Sequence, residues 1–339
     1  MNGSIYRING SERSLLGVKK TILPKKRVIA LGFFDGMHLG HSALMKKTRE
    51  IGKDKNLIPS VATFDTHPLN ILENREVPLI NSSEDRMWLM QNVDEIEETL
   101  ILHFDKKTAL ITWEEFIDYL VEEFGARHFV AGEDYTFGKD GVGNVKLLKQ
   151  KCAQMGIGCD ILPVVKYNDN IVSSTAIREM LRSGEQKKAN AMLGHPHILS
   201  DIVRYGFRLG RKLGTPTINM LFQEGVLVPA HGVYATKVYI ETQGRTGDGS
   251  LSCLREQDRE PSPVLPYIGI TNVGARPTVD DSGKITAETH ILNFQGNLYG
   301  RKVRIEFHEY LRPEIKFAGL DELKAQIQKD CATAETFFN

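Results

Sequence analysis

Two histidines, His38 and His41, lie three residues apart where an apolar run typical of a buried strand gives way to a helical pattern. Residues at this spacing share one face of a helix, so the imidazoles would lie side by side in the first turn. Gly32, Gly36 and Gly40 surround them, and glycine lets a backbone approach a ligand closely. The free N–H groups at a helix start favour a phosphate. Two imidazoles there could donate hydrogen bonds to a polyphosphate and stabilise the charge that develops as pyrophosphate leaves.

Other interpretations of these histidines remain open. The glycine spacing fits neither G-x-G-x-x-G nor G-x-x-x-x-G-K-[ST], which argues against a dinucleotide-dependent dehydrogenase and a P-loop kinase. His67 follows the second predicted strand and could join His38 and His41 as a third nitrogen ligand of a metal ion. A pair of structural histidines with satisfied hydrogen bonds is the third interpretation.

A second motif, Ser-Ser-Thr-Ala-Ile-Arg at residues 173–178, opens a predicted helix. Ser174 or Thr175 is expected at the N-cap position, where a side-chain oxygen accepts a backbone N–H. Arg178, one turn further, could clamp phosphate oxygens. Taken alone, the motif is typical of an ordinary helix cap.

A third candidate is a loop in the second half of the chain that combines glycines, basic side chains and hydroxyls. Gly210, Lys212 and Gly214 could wrap phosphates. Thr217 and Asn219 offer neutral oxygens to Mg²⁺, a hard cation that prefers oxygen ligands. A basic surface turn is the alternative interpretation of this loop.

Glu288 lies in a predicted strand further along. A strand carboxylate is more often solvated or ion-paired than a catalytic base, so this residue carries little weight unaided.

Alternating strand and helix patterns in the first half indicate βαβ units and a parallel sheet with helices on both faces, in which ligands bind at the carboxyl ends of the strands. Thr112 and Glu115 have the spacing of a capping box that opens one helix. The expected strands are residues 28–34, 60–65, 99–104, 128–132 and 158–165, and the other expected helices are 41–51, 84–92, 145–155 and 175–182.

The pattern changes after residues 194–197, which are typical of a linker. Apolar and polar residues then alternate as in antiparallel strands, which indicates a small β-barrel. The expected strands are residues 232–240, 267–273, 285–294 and 302–311, with a polar loop at 241–263. A terminal helix carrying Leu320, Leu323 and Ile327 should pack across the barrel. The predicted fold is thus an α/β domain over residues 1–193 and a β domain over residues 200–339.

Composition agrees with this division. Cores rarely grow beyond about 250–300 residues, so a chain of 339 residues is expected to form two domains. The 43 basic and 43 acidic residues give a formal net charge of zero, which argues against non-specific nucleic-acid or anionic-membrane binding.

No signal peptide or membrane span is recognisable, so a cytoplasmic location is expected. The four cysteines form no C-x-x-C pair and are expected to be buried free thiols.

The motifs together resemble known families. The histidine motif and residues 173–178 together resemble the nucleotidyltransferase superfamily, and residues 34–41 resemble its flavin adenylyltransferase branch. The second half resembles riboflavin kinase, and over residues 15–330 the chain resembles the bifunctional prokaryotic riboflavin kinase and FMN adenylyltransferase family. Departures from the usual pattern are Phe33, Thr66, Thr215 and Ile218. The pieces that match riboflavin kinase are residues 216–219, 232–235, 267–269, 272–278, 288–290, 298–300 and 311–314.

The resemblance implies that the second domain phosphorylates riboflavin to FMN with ATP and Mg²⁺, and that the first adenylylates FMN to FAD. It implies that Glu288 acts as the base or orients the hydroxyl group, and that Arg312 orders a loop over the flavin. It also implies that Thr217 and Asn219 hold the metal and phosphates. A chain with one working half, or a non-catalytic flavin-responsive regulator, is the alternative. In the first domain the implied residues are His38 and His41 as catalytic groups, Gly32, Phe34, Asp35, Gly36, Gly40, Ser174, Thr175 and Arg178 around the nucleotide phosphates, and Gly132, Asp134 and Phe137 at the flavin.

Overall fold

The computed structural model describes residues 4–8, 25–73, 75–204, 216–241, 266–275 and 285–339. Gly210, Lys212, Gly214 and Cys253 lie outside the described residues, as does most of the expected loop at 241–263. Contacts divide the chain into two compact units, Met1–Ser174 and Thr175–Asn339.

The first unit alternates strands and helices, as its sequence pattern predicts. Its strands are β1 (Ser4–Ile8), β2 (Arg27–Leu31), β3 (Ile58–Phe64), β4 (Glu98–Leu102), β5 (Ala126–Gly132), β6 (Thr136–Phe137), β7 (Gly143–Asn144), β8 (Gly158–Leu162), β9 (Lys166–Tyr167) and β10 (Asn170–Ile171). Its helices are α1 (Leu39–Lys55), α2 (Pro68–Leu72), α3 (Ser83–Asn92), α4 (Trp113–Glu122) and α5 (Val145–Met155).

One sheet in this unit has the strand order β1, β4, β3, β2, β5, β8, and every neighbouring pair is parallel. From β2 the chain runs outward through β3 and β4, and later returns to the other side of β2 to form β5 and β8. The strand order therefore reverses between β2 and β5, and in such sheets ligands bind in the crevice at that point. The predicted parallel sheet is confirmed.

Local sequence signals explain how the helices of this unit are placed. Thr112 Oγ1 accepts the Glu115 N–H at 3.2 Å, and the Glu115 carboxylate accepts the Thr112 N–H at 2.9 Å, so the predicted capping box opens α4. Behind it, Ile117 and Leu120 are completely buried and pack in one cluster with Phe129 of β5. The helix is thereby fixed on the sheet.

The second unit is mainly antiparallel sheet. Its helices are α6 (Ser174–Ser183), α7 (Gln186–Leu193) and α8 (Leu320–Phe338), and its strands are β11 (His197–Ile202), β12 (Thr217–Leu221), β13 (Gly232–Ile240), β14 (Tyr267–Ala275), β15 (Ile285–Ile291) and β16 (Lys302–Arg312).

The sheet of the second unit closes on itself. Its strand order is β11, β16, β13, β14, β15, β12, with every pair antiparallel. The two edges meet where the Arg204 N–H, just beyond β11, donates to the Asn219 carbonyl of β12 at 2.9 Å. The predicted barrel is confirmed. His197 was expected in the linker, but it is the first residue of β11.

The interior of the barrel contains a chain of three hydroxyls. Thr236, Thr271 and Thr289 are completely buried on adjacent strands, and each neighbouring pair of hydroxyl oxygens is 2.9 Å apart. Because the hydroxyls bond to one another, their burial leaves no unpaired polar group in the core.

The terminal helix α8 covers the outer face of β13 and β14, where Ala334 packs in one cluster with Ala235 and Ile270. Ile327 belongs to that contact, as expected. Leu320 does not, since its side chain is 55% exposed. It is the first residue of α8, ahead of the turns that reach the sheet.

Helices α6 and α7 belong by their contacts to the second unit. The side-chain amides of Gln186 and Asn190 donate to the Phe307 carbonyl of β16, at 3.2 and 2.8 Å. The Asn190 amide oxygen also accepts the N–H of His197 at 2.9 Å. One helix thereby fixes the start of the edge strand β11.

We expect both the fragment Thr175–Asn339 and the fragment 200–339 to unfold cooperatively, with the longer one more stable. The shorter fragment lacks α6, α7 and the first half of β11. Its midpoint of thermal unfolding should lie lower by about 4 °C or more. Circular dichroism of the two purified fragments measures this. Equal midpoints would show that α6 and α7 contribute nothing to the barrel.

Candidate active sites

A cavity of 530 Å³ lies at the carboxyl ends of the parallel strands, where the sheet topology places a ligand site. Residues that follow β2, β3, β5 and β8 all contribute to its wall. The sequence-predicted residues that line it are Gly32, Phe34, His38, Gly40, His41, Gly132, Asp134, Phe137 and Ser174.

The loop after β2 has an unusual backbone. Phe34 and Met37 adopt positive φ angles of 57° and 43°, on either side of Gly36 at 79°. A non-glycine residue in this region costs about 1–3 kcal/mol and persists only where its surroundings hold it. The loop must therefore be anchored from outside.

Asp35 provides two of these anchors. Its carboxylate accepts the Ile80 N–H at 2.9 Å, and its carbonyl accepts the Ser174 hydroxyl at 2.9 Å. Asp35 is buried, and neither it nor Gly36 lines the cavity. In this structure Asp35 shapes the predicted phosphate loop from behind.

His38 and His41 are brought together as the spacing predicts. His38 is the N-cap of α1, and its Nδ1 accepts the His41 N–H at 3.4 Å. The two rings are stacked with centroids 3.6 Å apart and planes 15° from parallel. Phe34 packs edge-on against His41 at 5.2 Å.

His41 is held in its neutral form. Burial, followed by the charges of His38 and Arg86, lowers the pKa of His41 well below its ordinary value. Its Nδ1 is buried and has no hydrogen-bond partner among the described residues. A neutral imidazole carries one N–H, so it can donate a hydrogen bond into the cavity without adding a charge there.

The metal-site interpretation of the histidines receives no support. Within the described ranges, no group of three or more His, Cys, Asp or Glu side chains is arranged to hold a metal ion. His67 instead caps α2, where its Nδ1 accepts the Leu69 N–H at 3.2 Å.

The flavin residues predicted after β5 also meet the cavity. Gly132 ends the strand, and a Cβ atom there would lie 2.9 Å from the Asp134 carboxylate. Phe137 stacks on Tyr135 at 5.3 Å and contacts Phe116 at 5.9 Å. This side of the cavity is therefore aromatic, while the histidine side is polar.

Helix α6 begins at Ser174, so Ser173 occupies the N-cap position expected for Ser174 or Thr175. Thr175 is exposed and Arg178 is 8% exposed, and both belong to the second unit.

Arg86 is a residue of this site that the sequence did not reveal. Its side chain is 1% exposed and donates to the carbonyls of Phe33 and Phe64 at 2.7 and 2.6 Å. Its guanidinium also lies 4.7 Å from the centre of the Phe33 ring. The available signal was a charged residue on the apolar face of α3, three and four positions before the buried Leu89 and Met90.

The second unit brings three predicted residues together. Asn219 of β12 lies directly opposite Glu288 of β15, and Thr217 lies opposite His290. Residues opposite each other in antiparallel strands, and residues two apart along one strand, share a face. Asn272 of β14, on the other side of Glu288, joins this face and was not predicted.

The donor set on this face suits a hard cation. Asn219 is 6% exposed, and its side-chain oxygen is buried without a hydrogen-bond donor among the described residues. An unsatisfied buried oxygen is costly, and a cation or a ligand group would remove that cost.

Arg312, expected to order a loop over the flavin, makes an ion pair with a helix in this structure. Its Nε and Nη2 donate to the Asp330 carboxylate of α8, with a shortest distance of 2.7 Å. It thereby ties the end of β16 to the terminal helix.

The described cysteines are free thiols, as expected. Cys152 is buried, whereas Cys159 and Cys331 are only partly buried.

The neutral state of His41 predicts a pH dependence. Because the pKa of His41 is lowered, the unfolded chain takes up a proton below about pH 6.5 that the folded chain excludes. This contribution to stability is present above about pH 6.5 and is lost as the pH falls through the folded pKa. Denaturant unfolding of the first unit between about pH 5 and 7 should therefore show a shallower pH slope in His41→Asn than in the parent.

The matched control is His231→Asn, which should leave the slope for the first unit unchanged because His231 belongs to the second unit. Identical slopes in the parent and in His41→Asn would show that His41 titrates normally.

Comparisons with known proteins cover both units. The FAD synthetase family model matches residues 20–176, and the riboflavin kinase family model matches residues 193–338. The bifunctional riboflavin kinase/FMN adenylyltransferase of Escherichia coli K12 is 35% identical, with 92% of each chain covered. The protein of the same description from Listeria monocytogenes is 32% identical, with 92% of each covered, and that from Bacillus subtilis is 31% identical, with 93% of each covered.

A solved structure agrees in fold. A crystal structure described as a macrolide-efflux protein from Streptococcus pneumoniae superposes with a TM-score of 0.78 at 27% identity, covering 97% of this chain and 98% of that one. In the part of the present chain that the structure describes, every helix is too short or too polar to span a bilayer. With both family models in the expected order and relatives aligned over nearly its whole length, the chain belongs to the bifunctional riboflavin kinase/FMN adenylyltransferase family.

Proposed function

We propose that the two units catalyse consecutive reactions of flavin cofactor synthesis through the residues described above. The second unit transfers the γ-phosphoryl group of ATP to the ribityl 5′-hydroxyl of riboflavin, which gives FMN. The first unit joins FMN to the AMP part of a second ATP, which gives FAD and pyrophosphate. The observation that carries the assignment is the stacked histidine pair lining a cavity at the switch point of the sheet.

Adenylyl transfer requires an FMN phosphate oxygen to attack the α-phosphorus of ATP while pyrophosphate leaves. Negative charge then builds on the leaving oxygens. His38 and His41 lie at the start of α1, where their N–H groups and the helix backbone can stabilise that charge. Gly32 and Gly40 leave room for the phosphates, and the aromatic side of the cavity, with Phe137, would receive the flavin.

The neutral state of His41 suits this reaction. A buried, protonated His41 beside His38 and Arg86 would be costly, whereas a neutral N–H donor needs no counter-ion. The interaction therefore strengthens mainly as charge develops on the polyphosphate, which is the condition for lowering a barrier.

Phosphoryl transfer in the second unit needs an aimed hydroxyl group. Glu288 can accept the hydrogen bond of the riboflavin hydroxyl, direct its oxygen at the γ-phosphorus and take its proton as the new bond forms. Asn219 and Thr217 on the adjoining strand present oxygens beside it.

Mg²⁺ is part of this proposal, supported by the oxygen donor set and by the buried unpaired oxygen of Asn219. Thr217 and Asn219 would hold the ion, which when bound neutralises charge on the ATP phosphates.

Replacing His41 with alanine should slow conversion of FMN to FAD by about 10²-fold, the scale for losing one charge-stabilising donor. Phosphorylation of riboflavin should continue at the parent rate because it uses the other unit. Chromatographic separation of riboflavin, FMN and FAD measures both. His103→Ala is the matched control, since His103 pairs with Asp65 outside the cavity lining. Parent-like FAD formation in His41→Ala would remove His41 from the mechanism.

Glu288→Gln keeps the side-chain shape but cannot take a proton, so riboflavin phosphorylation should fall by about 10²- to 10⁴-fold. FAD formation from supplied FMN should stay near the parent rate. The same separation is run once with riboflavin and once with FMN. Glu309→Gln is the control, a carboxylate of β16 that pairs with Lys187. Equal loss of both reactions would indicate a folding defect or a shared site.

A further inference from the structure

The anchoring of the loop after β2 converges on one carbonyl. The Phe33 oxygen accepts the Thr63 hydroxyl at 2.8 Å and the Arg86 guanidinium at 2.7 Å. Phe33 immediately precedes Phe34, the first of the three loop residues with positive φ. Whatever holds this carbonyl sets the direction in which the loop leaves the sheet and approaches His38.

The geometry of Arg86 suits it to hold the Phe33 carbonyl. One Nη donates to Phe33 after β2 and the other to Phe64 at the end of β3, so a single planar group spans two neighbouring strand ends. The Phe33 ring contacts both the guanidinium and the ring of His67, each 4.7 Å from its centroid. Lysine could not hold both carbonyls in this fixed geometry.

Arg86 does not itself line the cavity. Burial lowers the pKa of its guanidinium, while the carboxylates of Asp35 and Asp65 act in the opposite direction. The guanidinium thus lies behind the loop, and two carboxylates compensate its charge. That charge also contributes to lowering the pKa of His41.

We propose that Arg86 is a positioning residue for adenylyl transfer: it fixes the carboxyl ends of β2 and β3 so that His38 and His41 meet the polyphosphate. The inference rests on the proposed function of the first unit. Misplacing the histidines weakens interactions that matter most in the transition state, so the loss should appear in kcat more than in the KM for ATP.

The test compares two buried arginines of the first unit in the full chain, Arg86 of α3 and Arg27 of β2. Arg86→Lys removes the fork at the carboxyl ends of the strands. Arg27→Lys removes one at the amino end of β2, where Arg27 donates to Glu98 at 2.6 Å and to the Phe124 carbonyl at 2.7 Å. For Arg86→Lys we expect kcat for FAD formation to fall about 10- to 100-fold while the KM for ATP changes less than about 3-fold. Riboflavin phosphorylation in the same sample should be unchanged.

Arg27→Lys should lower the thermal midpoint at least as much, yet leave kcat for FAD formation within about 2-fold of the parent. Amide hydrogen exchange read by mass spectrometry should be faster over residues 33–41 in Arg86→Lys only. A parent-like kcat in Arg86→Lys, an equal kcat loss in Arg27→Lys, or unchanged exchange over residues 33–41 would overturn the inference. A parent chain that forms no FAD would instead overturn the proposed function itself.

Discussion

The Phe33 carbonyl oxygen, bonded to Thr63 of β3 and Arg86 of α3, is the junction on which the N-terminal site depends. Beyond it the backbone passes through left-handed conformations that no regular element would stabilise. Strain of this kind persists only where several contacts agree. The parallel sheet supplies them, because neighbouring strands end at the same edge and bring their following residues within reach of one guanidinium.

The second unit holds its candidate site residues in place through a different architecture. Antiparallel pairing places Asn219, Glu288 and Asn272 side by side on three adjacent strands, with no loop strain involved. Behind them the hydroxyls of Thr271 and Thr289 bond to each other inside the barrel. In the second unit the positions of the site residues are set by strand register, whereas in the first unit they are set by tertiary contacts that hold a strained loop.

Periodicity predicted the elements of both units well, and α5 and β13 have the expected bounds. Local motifs predicted that the two histidines lie side by side, and the family resemblance named Asn219 and Glu288 without predicting that they are opposite each other on paired strands. The role of Arg86 was not predicted because its partners are backbone carbonyl groups, which every residue carries. The two carbonyl groups come close to each other only when β2 and β3 pair. Strands β11 and β12 were not predicted either. Short edge strands beside glycine-rich or linker-like sequence have too few alternating apolar and polar residues to show the two-residue period of a strand.

Core-facing and site-facing side chains alternate along β12 and β15, so the candidate site and the core depend on the same strand register. Ile218 and Ala287 face the apolar interior, while their neighbours Asn219 and Glu288 face the opposite side. Shifting either strand by one residue would exchange the two sets at once. A single-residue insertion or deletion within these strands would therefore put an amide or a carboxylate into the core and an alkyl group at the site. Length variation among relatives should be confined to the connections between strands.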